Sequence, residues 1–154
     1  MKQGVFLQAN LAVAVLVAGL ALAILPLALE GQTGSDSRVF YDVREEITLS
    51  GTVSAVLIRP APGMIAGSHL LLTTVSGTVD ASLGRWGLQG KGALSVMPGQ
   101  AVEVIGIMKT LQGKVVLVVR TVKVGDKVHA IRNQYGIPVS PQARQRLAEK
   151  GESQ

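Results

Sequence analysis

The sequence predicts a mainly β protein: a small barrel of five or six strands, preceded by one transmembrane helix. Three observations support this fold class. Residues 11–29 form an uninterrupted run of nineteen residues without a charge. From Glu46 onward apolar and polar residues alternate, which is typical of strands with one buried face. Glycine and proline separate the alternating runs at short intervals, as turns between strands do.

The composition excludes several classes of protein. The 154 residues contain no cysteine, so disulfide frameworks, thiolate metal sites and cysteine nucleophiles are excluded. Charge is uneven, because residues 30–83 hold three arginines against six acids and residues 84–154 hold eleven basic residues against four acids. A basic second half suits anionic lipid, phosphate or an acidic protein as partner, although a solvated basic face is the commoner reason for such a bias.

The apolar run at residues 11–29 is long enough to cross a bilayer as a helix. Lys2 favours a cytoplasmic position for residues 1–10, so the rest of the chain is predicted to be extracytoplasmic, in the periplasm. A cleaved signal peptide is the alternative, since Ala21-Leu22-Ala23 has the small-x-small pattern of a cleavage site. Residues 30–45 are predicted to be a flexible linker.

The predicted barrel domain covers residues 46–137. In the first strand one face is predicted to point inward, formed by Ile47, Leu49, Gly51, Val53, Ala55 and Leu57. The six predicted strands are Ile47–Leu57, His69–Val75, Thr78–Leu83, Ala101–Lys109, Lys114–Val124 and Lys127–Arg132. A Gly/Pro-rich loop (Arg59–Gly67) follows the first strand, and an irregular excursion (Gly84–Gly92) follows the third. Residues 138–154 are predicted to be a polar tail with an exposed helix at Gln142–Lys150.

The strand order resembles that of an OB-type barrel. The long first strand, the loop after it and the excursion after the third strand all fit, and Leu94–Val104 (LSVMPGQAVEV) followed by Gly106 resembles the entry to the fourth OB strand. Residues Glu46–Arg132 therefore resemble the small OB-fold proteins of the bacterial cell envelope. Another small barrel or a sandwich is the alternative.

No catalytic constellation is present in the sequence, so we predict a protein that is not an enzyme and needs no cofactor or metal. His69 and His129 stand without ligand-like spacing, and Asp80 is predicted to face solvent. The acidic residues Asp42, Glu45 and Glu46 lack the spacing of a calcium loop and are interpreted as a solvated flank.

Candidate contact residues for a ligand or partner lie on the loops and on the basic later strands. They are Arg59, Met64, His69, Trp86, Arg120 and Arg132. Trp86, in the glycine-rich excursion, is interpreted either as a partner anchor or as a lid on the barrel end. Nucleic acid is not expected as a partner, because no aromatic residues alternate within a central strand to form a stacking platform.

The sequence thus predicts a membrane-anchored, non-catalytic binding or accessory module with a protein partner in the envelope. A structural subunit of a larger membrane complex is a second hypothesis, and the sequence does not specify the oligomeric state. A third follows from a resemblance to the haem chaperone of cytochrome c maturation, which carries haem on a histidine in an H-x-x-x-Y context. That resemblance assigns haem to His129 and Tyr135, which here are six residues apart.

Overall fold

The structure is a computed structural model, and it describes residues 41–151. These residues lie within one compact unit, Ser37–Gln154. The predicted transmembrane helix at residues 11–29 lies outside the described residues. Between residues 41 and 151 there is no helix with the length and apolar character needed to cross a membrane.

Within residues 41–151, six strands and one helix follow a short 3₁₀ turn at Val43–Glu45. The elements are β1 (Ile47–Leu57), β2 (Ser68–Thr74), β3 (Gly77–Gly84), β4 (Ala101–Leu111), β5 (Lys114–Val124), β6 (Lys127–Ala130) and α1 (Pro141–Gly151). Each strand overlaps the one predicted from sequence, and the bounds of β5 are the same. The periodicity and the turn residues were therefore sufficient to place the strands.

The strands close into a five-stranded barrel. Hydrogen-bonded neighbours follow the order β1-β2-β3-β5-β4 and return to β1, while β6 is added beside β5. The closing pair β3–β5 is parallel and short, joining Ala81 to Leu117 and Ser82 to Val118, whereas the other pairs are antiparallel. The mainly β prediction and the small barrel are confirmed, with five strands in the barrel and a sixth outside it.

Branched and aliphatic side chains from all five barrel strands fill the interior. The most buried members include Val53, Leu70, Leu83, Val104 and Val119. Leu88, Leu94 and Val96 from the segment between β3 and β4 pack against the same core. This segment thus covers part of the barrel core without forming a helix.

The inward face predicted for β1 is correct only for part of the strand. A bulge between Val53 and Ala55 changes the register with β2. Beyond it Val56 packs against the core, whereas Ala55 and Leu57, predicted to point inward, are not members of the core cluster. At the start of the strand Ile47, also predicted to point inward, is 39% exposed. A bulge adds one residue to one strand and so reverses which side chains point inward beyond it. A prediction made from the regular two-residue alternation of a strand does not include this reversal.

A second, smaller cluster lies on the other side of β5. Val118 packs with Ile107 and Tyr41, whereas the next residues in β5, Leu117 and Val119, belong to the main core. Successive strand residues point to opposite faces, so this cluster lies outside the barrel. Tyr41 belongs to the segment predicted as linker, yet it is 7% exposed.

The C-terminal helix α1 is tied to the β3–β4 segment. Arg144 donates to four backbone carbonyls, those of Trp86, Gln89, Lys91 and Val139, at 2.6–3.3 Å. Gly90 lies so close to the helix start that an added Cβ would be 2.4 Å from Pro141. The helix is largely exposed as predicted, but its first turn is held by one side chain that sequence reasoning had not singled out.

Candidate functional site

The candidate site is a cavity of about 370 Å³ on the outside of the barrel, which we call the Arg132 pocket. Loop, strand and C-terminal residues contribute to its wall: Tyr41, Ile65, Leu111, Val118, Arg132, Tyr135, Gly136, Ile137 and Pro138. It unites two sequence-predicted residues, Arg132 and Tyr135, with the smaller hydrophobic cluster around Tyr41. Its volume is within the range of small-molecule pockets.

Arg132 lies at the junction that closes the barrel. Its side chain is 8% exposed, and its Nη1 donates to the carbonyl oxygens of Ser82 at 2.9 Å and Val119 at 2.6 Å. These carbonyls belong to β3 and β5, so one guanidinium joins both strands at the short parallel pair. Burial lowers the pKa of Arg132 to about 10, which leaves the group cationic at neutral pH.

A tight turn after β6 holds Arg132 in place. The amides of Ile131 and Arg132 both donate to the carbonyl of Arg120, and Arg132 forms an isolated bridge with Pro138. Within the turn the Asn133 side chain accepts bonds from the amides of Tyr135 and Ile137, each at 3.0 Å. Asn133 N also donates to the carbonyl of Ile137, and Val139 N donates to the carbonyl of Ile131, so the turn is a short hairpin. The Asn133 side chain stabilises the tip of this hairpin at the pocket rim.

Gly136 lets Tyr41 approach this turn. Its φ of +76° is in the left-handed region, and an added Cβ would lie 2.4 Å from the Cβ of Tyr41. A side chain at this position would be strained and would also collide with the tyrosine. Glycine is thus needed for the aromatic ring to form one wall of the pocket.

Tyr41 connects the pocket to an ion pair. Its hydroxyl donates to Glu46 at 2.7 Å, and Glu46 also accepts a bidentate pair from Arg120, whose Nη2 is 2.7 Å from Oε2. The hydrogen bond from Arg120 lowers the pKa of Glu46, while burial and the neighbouring carboxylate raise the pKa of Tyr41. Arg120, expected to contact a ligand, is therefore engaged by Glu46.

The charges of Glu46, Arg120 and Arg132 do not cancel. Glu46 balances Arg120, but among residues 41–151 no carboxylate forms an ion pair with Arg132. One positive charge therefore remains buried at the pocket. Burial of an unpaired charge is costly, and the two carbonyl bonds offset only part of that cost.

The interpretation of the acidic cluster as a solvated flank holds for Glu45, whose side chain is 53% exposed, and is wrong for Glu46, whose side chain is 13% exposed. Asp42 pairs with Arg44 at 2.6 Å, which lowers the pKa of Asp42 to about 2. Glu45 pairs with Lys109 at 2.5 Å, and Glu46 with Arg120. The partners Lys109 and Arg120 are distant in sequence, so residue spacing offered no signal for them.

His69 fixes the β1–β2 loop to the outside of the barrel. The ring is fully buried, with Nδ1 2.6 Å from Asp80 Oδ1 and Nε2 2.9 Å from the carbonyl of Ile65. Asp80 was predicted to face solvent, but its side chain is only 16% exposed because it binds this histidine. His69 therefore positions Ile65, and thereby one wall of the pocket.

The remaining candidates lie on loops and are not among the residues that line the pocket. Arg59 is exposed, and Met64 is half-buried next to Ile65. Trp86 is half-buried with the guanidinium of Arg85 stacked 4.6 Å from its ring centroid. Leu88 and Leu94, and not Trp86, pack on the barrel core, so the lid interpretation fits these leucines better.

His129 and Tyr135, the pair assigned to haem, do not line the same pocket. Tyr135 lines the Arg132 pocket, but His129 lies in β6 and is not among the pocket residues. Burial, followed by the charges of Lys127 and Arg144, lowers the pKa of His129. Across the described part of the chain, no three His, Cys, Asp or Glu side chains are grouped as metal ligands.

Two larger depressions lack the buried charge of this pocket. One of about 730 Å³ lies between α1 and the turn before it. The other, of about 620 Å³, is lined by small and hydroxyl-bearing residues of β1, β2 and β4 together with Glu103 and Lys123. Both are wide and open. The Arg132 pocket is the better candidate because a buried, uncompensated cation defines what it would bind.

A family model matches residues 45–129 of the chain, more than half of its length. The matched segment begins in the 3₁₀ turn and ends in β6, so it contains the whole barrel. Tyr41 and the turn from Arg132 to Pro138 lie outside it. No curated protein matches the chain. Because the match covers the entire barrel and most of the sequence, the chain belongs to the MamS/MamX magnetosome protein family.

Proposed function

We propose that this protein is a membrane-associated, non-catalytic accessory protein of magnetosome formation. The family match over residues 45–129 carries the proposal, because it includes every barrel strand. The barrel supplies a rigid platform with loops of varied length, which is typical of a binding module. A fold alone does not define a function, so the assignment rests on the family and on the pocket.

We further propose that the barrel is of the OB type. The order β1-β2-β3-β5-β4, with a parallel closing pair, supports this assignment. OB barrels bind ligands on the β2–β3 face and the adjoining loops. In this chain His69 and Asp80 fix the β1–β2 loop against that face, and Ile65 of the loop forms part of the Arg132 pocket.

The apolar run at residues 11–29 supports a single-pass anchor with the barrel on the extracytoplasmic side. In this arrangement the barrel meets a protein partner at the membrane surface. The β1–β2 loop, with Arg59 and Met64, and the Arg85–Trp86 pair are the proposed contact regions, since both are exposed or half-buried and lie on loops.

Fractionation of a magnetosome-forming bacterium that expresses the tagged full-length chain tests this proposal. We expect the protein in the membrane fraction after a carbonate wash, enriched in magnetosome membranes, and digested by protease only when the extracytoplasmic side is opened. The control is the double variant Leu16→Arg, Leu20→Arg, which places two charges within the apolar run and should release the protein.

A chain found dissolved in the cytosol would exclude the anchored module. Sizing after extraction in mild detergent separates the remaining hypotheses. A monomer or a complex with one partner supports an accessory module, whereas a discrete large assembly supports a structural subunit.

A further inference from the structure

Three of the five N–H donors of Arg132 have no hydrogen-bond acceptor within residues 41–151. Nη1 donates to two carbonyls, whereas Nε and Nη2 have no hydrogen-bond partner in that part of the chain. They are not sealed from solvent, because Ser82 Oγ is the one fully enclosed side-chain polar atom without a partner there. The Nε–Nη2 edge of a guanidinium is a fork that matches the two oxygens of a carboxylate.

Most of the remaining pocket wall is apolar, although Tyr41 and Tyr135 also line it. Ile65, Leu111 and Val118 come from the β1–β2 loop, β4 and β5, while Ile137 and Pro138 close the opposite side. The cluster of Glu46, Arg120 and Arg132 carries one net positive charge. One monoanionic group would neutralise it, whereas a dianion such as a phosphate would reverse the sign of the charge. A ligand that fits both features has a single carboxylate and an apolar body.

We propose that the Arg132 pocket binds a carboxylate attached to a short aliphatic group. Nε and Nη2 of Arg132 donate to the two carboxylate oxygens, and the aliphatic group packs against Ile65, Leu111 and Val118. The chemistry is shared by the C-terminus of a peptide that ends in an aliphatic residue and by a short fatty acid. This inference rests on the proposed binding function and defines the ligand class of its pocket.

Titration of the full-length chain in a non-ionic detergent tests the proposal, with the ¹⁵N–¹H signal of Arg132 Nε as readout. The acids are N-acetyl-leucine and hexanoate, and the neutral controls are N-acetyl-leucinamide and hexanamide. We expect a saturable shift with at least one acid and binding at least tenfold weaker for its amide. The tighter of the two acids identifies whether the source is a peptide terminus or a fatty acid.

Equal binding of acid and amide would overturn the proposal. So would an unmoved Arg132 signal at about 50 mM acid, well above the millimolar dissociation constants common for ligands of this size. Because Arg132 also joins β3 to β5, its replacement can unfold the barrel, so a pocket-filling variant is the decisive one. Ile137→Trp should weaken acid binding at least tenfold, and unchanged binding in this variant would contradict the proposal.

Leu147→Trp is the matched control for Ile137→Trp. Leu147 is 58% exposed and Ile137 59%, and both line the groove beside α1, but only Ile137 also lines the Arg132 pocket. The control should bind like the unmodified chain, and equal losses in both variants would overturn the assignment to this pocket. Acid binding by a chain that fractionates with the cytosol would leave this inference standing and exclude only the proposed function.

Discussion

Arg120 and Arg132 show how the surrounding residues give one residue type two roles. Arg120 has an acidic partner in Glu46, so its charge is neutralised where it lies. Arg132 has only carbonyl partners, so its charge remains available to a ligand. Both arginines were candidates from sequence because they were predicted to lie on the basic later strands. Their separate roles depend on Glu46 and Ser82, whose positions only the folded barrel defines.

Replacement of Glu46 by glutamine should lower the free energy of unfolding by about 2 kcal/mol at neutral pH, because it removes a charge-assisted bidentate bond to a half-buried arginine. Glu45→Gln is the matched control. The Glu45–Lys109 pair is more exposed and should contribute about 0–1 kcal/mol. Urea denaturation measures the unfolding free energy of both variants. Equal losses of free energy would show that the Glu46–Arg120 pair stabilises the fold no more than the exposed Glu45–Lys109 pair does.

The effect of Glu46→Gln should also depend on pH. Arg120 lowers the pKa of Glu46 below its ordinary value of 4.5 in the folded state. At pH values between these two pKa values the folded chain therefore binds fewer protons than the unfolded chain. The stabilisation is therefore complete above about pH 4.5 and is lost as the pH falls through the lower, folded-state pKa. Unfolding curves at pH 7 and pH 3 should show a smaller difference between variant and unmodified chain at the lower pH.

His69→Ala should free the β1–β2 loop. It removes a buried ring with two hydrogen bonds, which should cost about 2–3 kcal/mol of unfolding free energy. Hydrogen exchange should quicken at the amide of Met64, which donates to Ala61 within the loop. Thr73→Ala, an exposed change on the same strand, is the control. Unchanged exchange in His69→Ala would show that the loop is held by other contacts.

At the scale of elements, the sequence was informative where local rules apply. The alternation of residues and the glycine turns located all six strands to within a few residues. The bulge in β1 and the fastening of α1 were not predictable from these rules. A bulge depends on the fit of two strands, and the Arg144 bonds depend on carbonyls more than fifty residues earlier in the chain.

Arg144→Gln should loosen α1 from the β3–β4 segment while the barrel remains folded. The bonds to Trp86, Gln89 and Lys91 would be lost, and these join two elements that share no strand pairing. Hydrogen exchange should increase in residues 141–151 and near Gln89, with little change in β1–β5. Arg146→Gln on the exposed side of the same helix should leave exchange unchanged. Faster exchange throughout the barrel would contradict a local role for Arg144.

For the part of the molecule that the structure describes, sequence reasoning predicted the mainly β barrel but not the pocket. Burial of one face in every strand requires a closed or covered sheet, and the alternation predicts that requirement. The pocket depends on the turn after β6 returning to the parallel junction of β3 and β5, which no local pattern encodes. Tyr41 and Glu46 were assigned to a tether and a solvated flank for the same reason, since their partners lie in later strands.

The turn after β6, and not the helix, should therefore be the last part of the chain that the barrel needs. Ile131 belongs to the main core and Arg132 joins β3 to β5, whereas α1 has no buried residue. A chain shortened after Ser140 should retain its β circular dichroism and lose about 1–2 kcal/mol, mainly the Arg144 bonds. A chain shortened after Ala130 should unfold, because it loses a buried isoleucine and leaves the Ser82 and Val119 carbonyls without their donor.

Circular dichroism and urea denaturation of these two shortened chains test whether the barrel needs the turn after β6 but not α1. The two end points differ by only ten residues, so a general effect of truncation is controlled within the pair. A folded chain that ends at Ala130 would show that the barrel closes without Arg132. The guanidinium would then be dispensable for the fold, which would leave ligand binding as its remaining role at the junction.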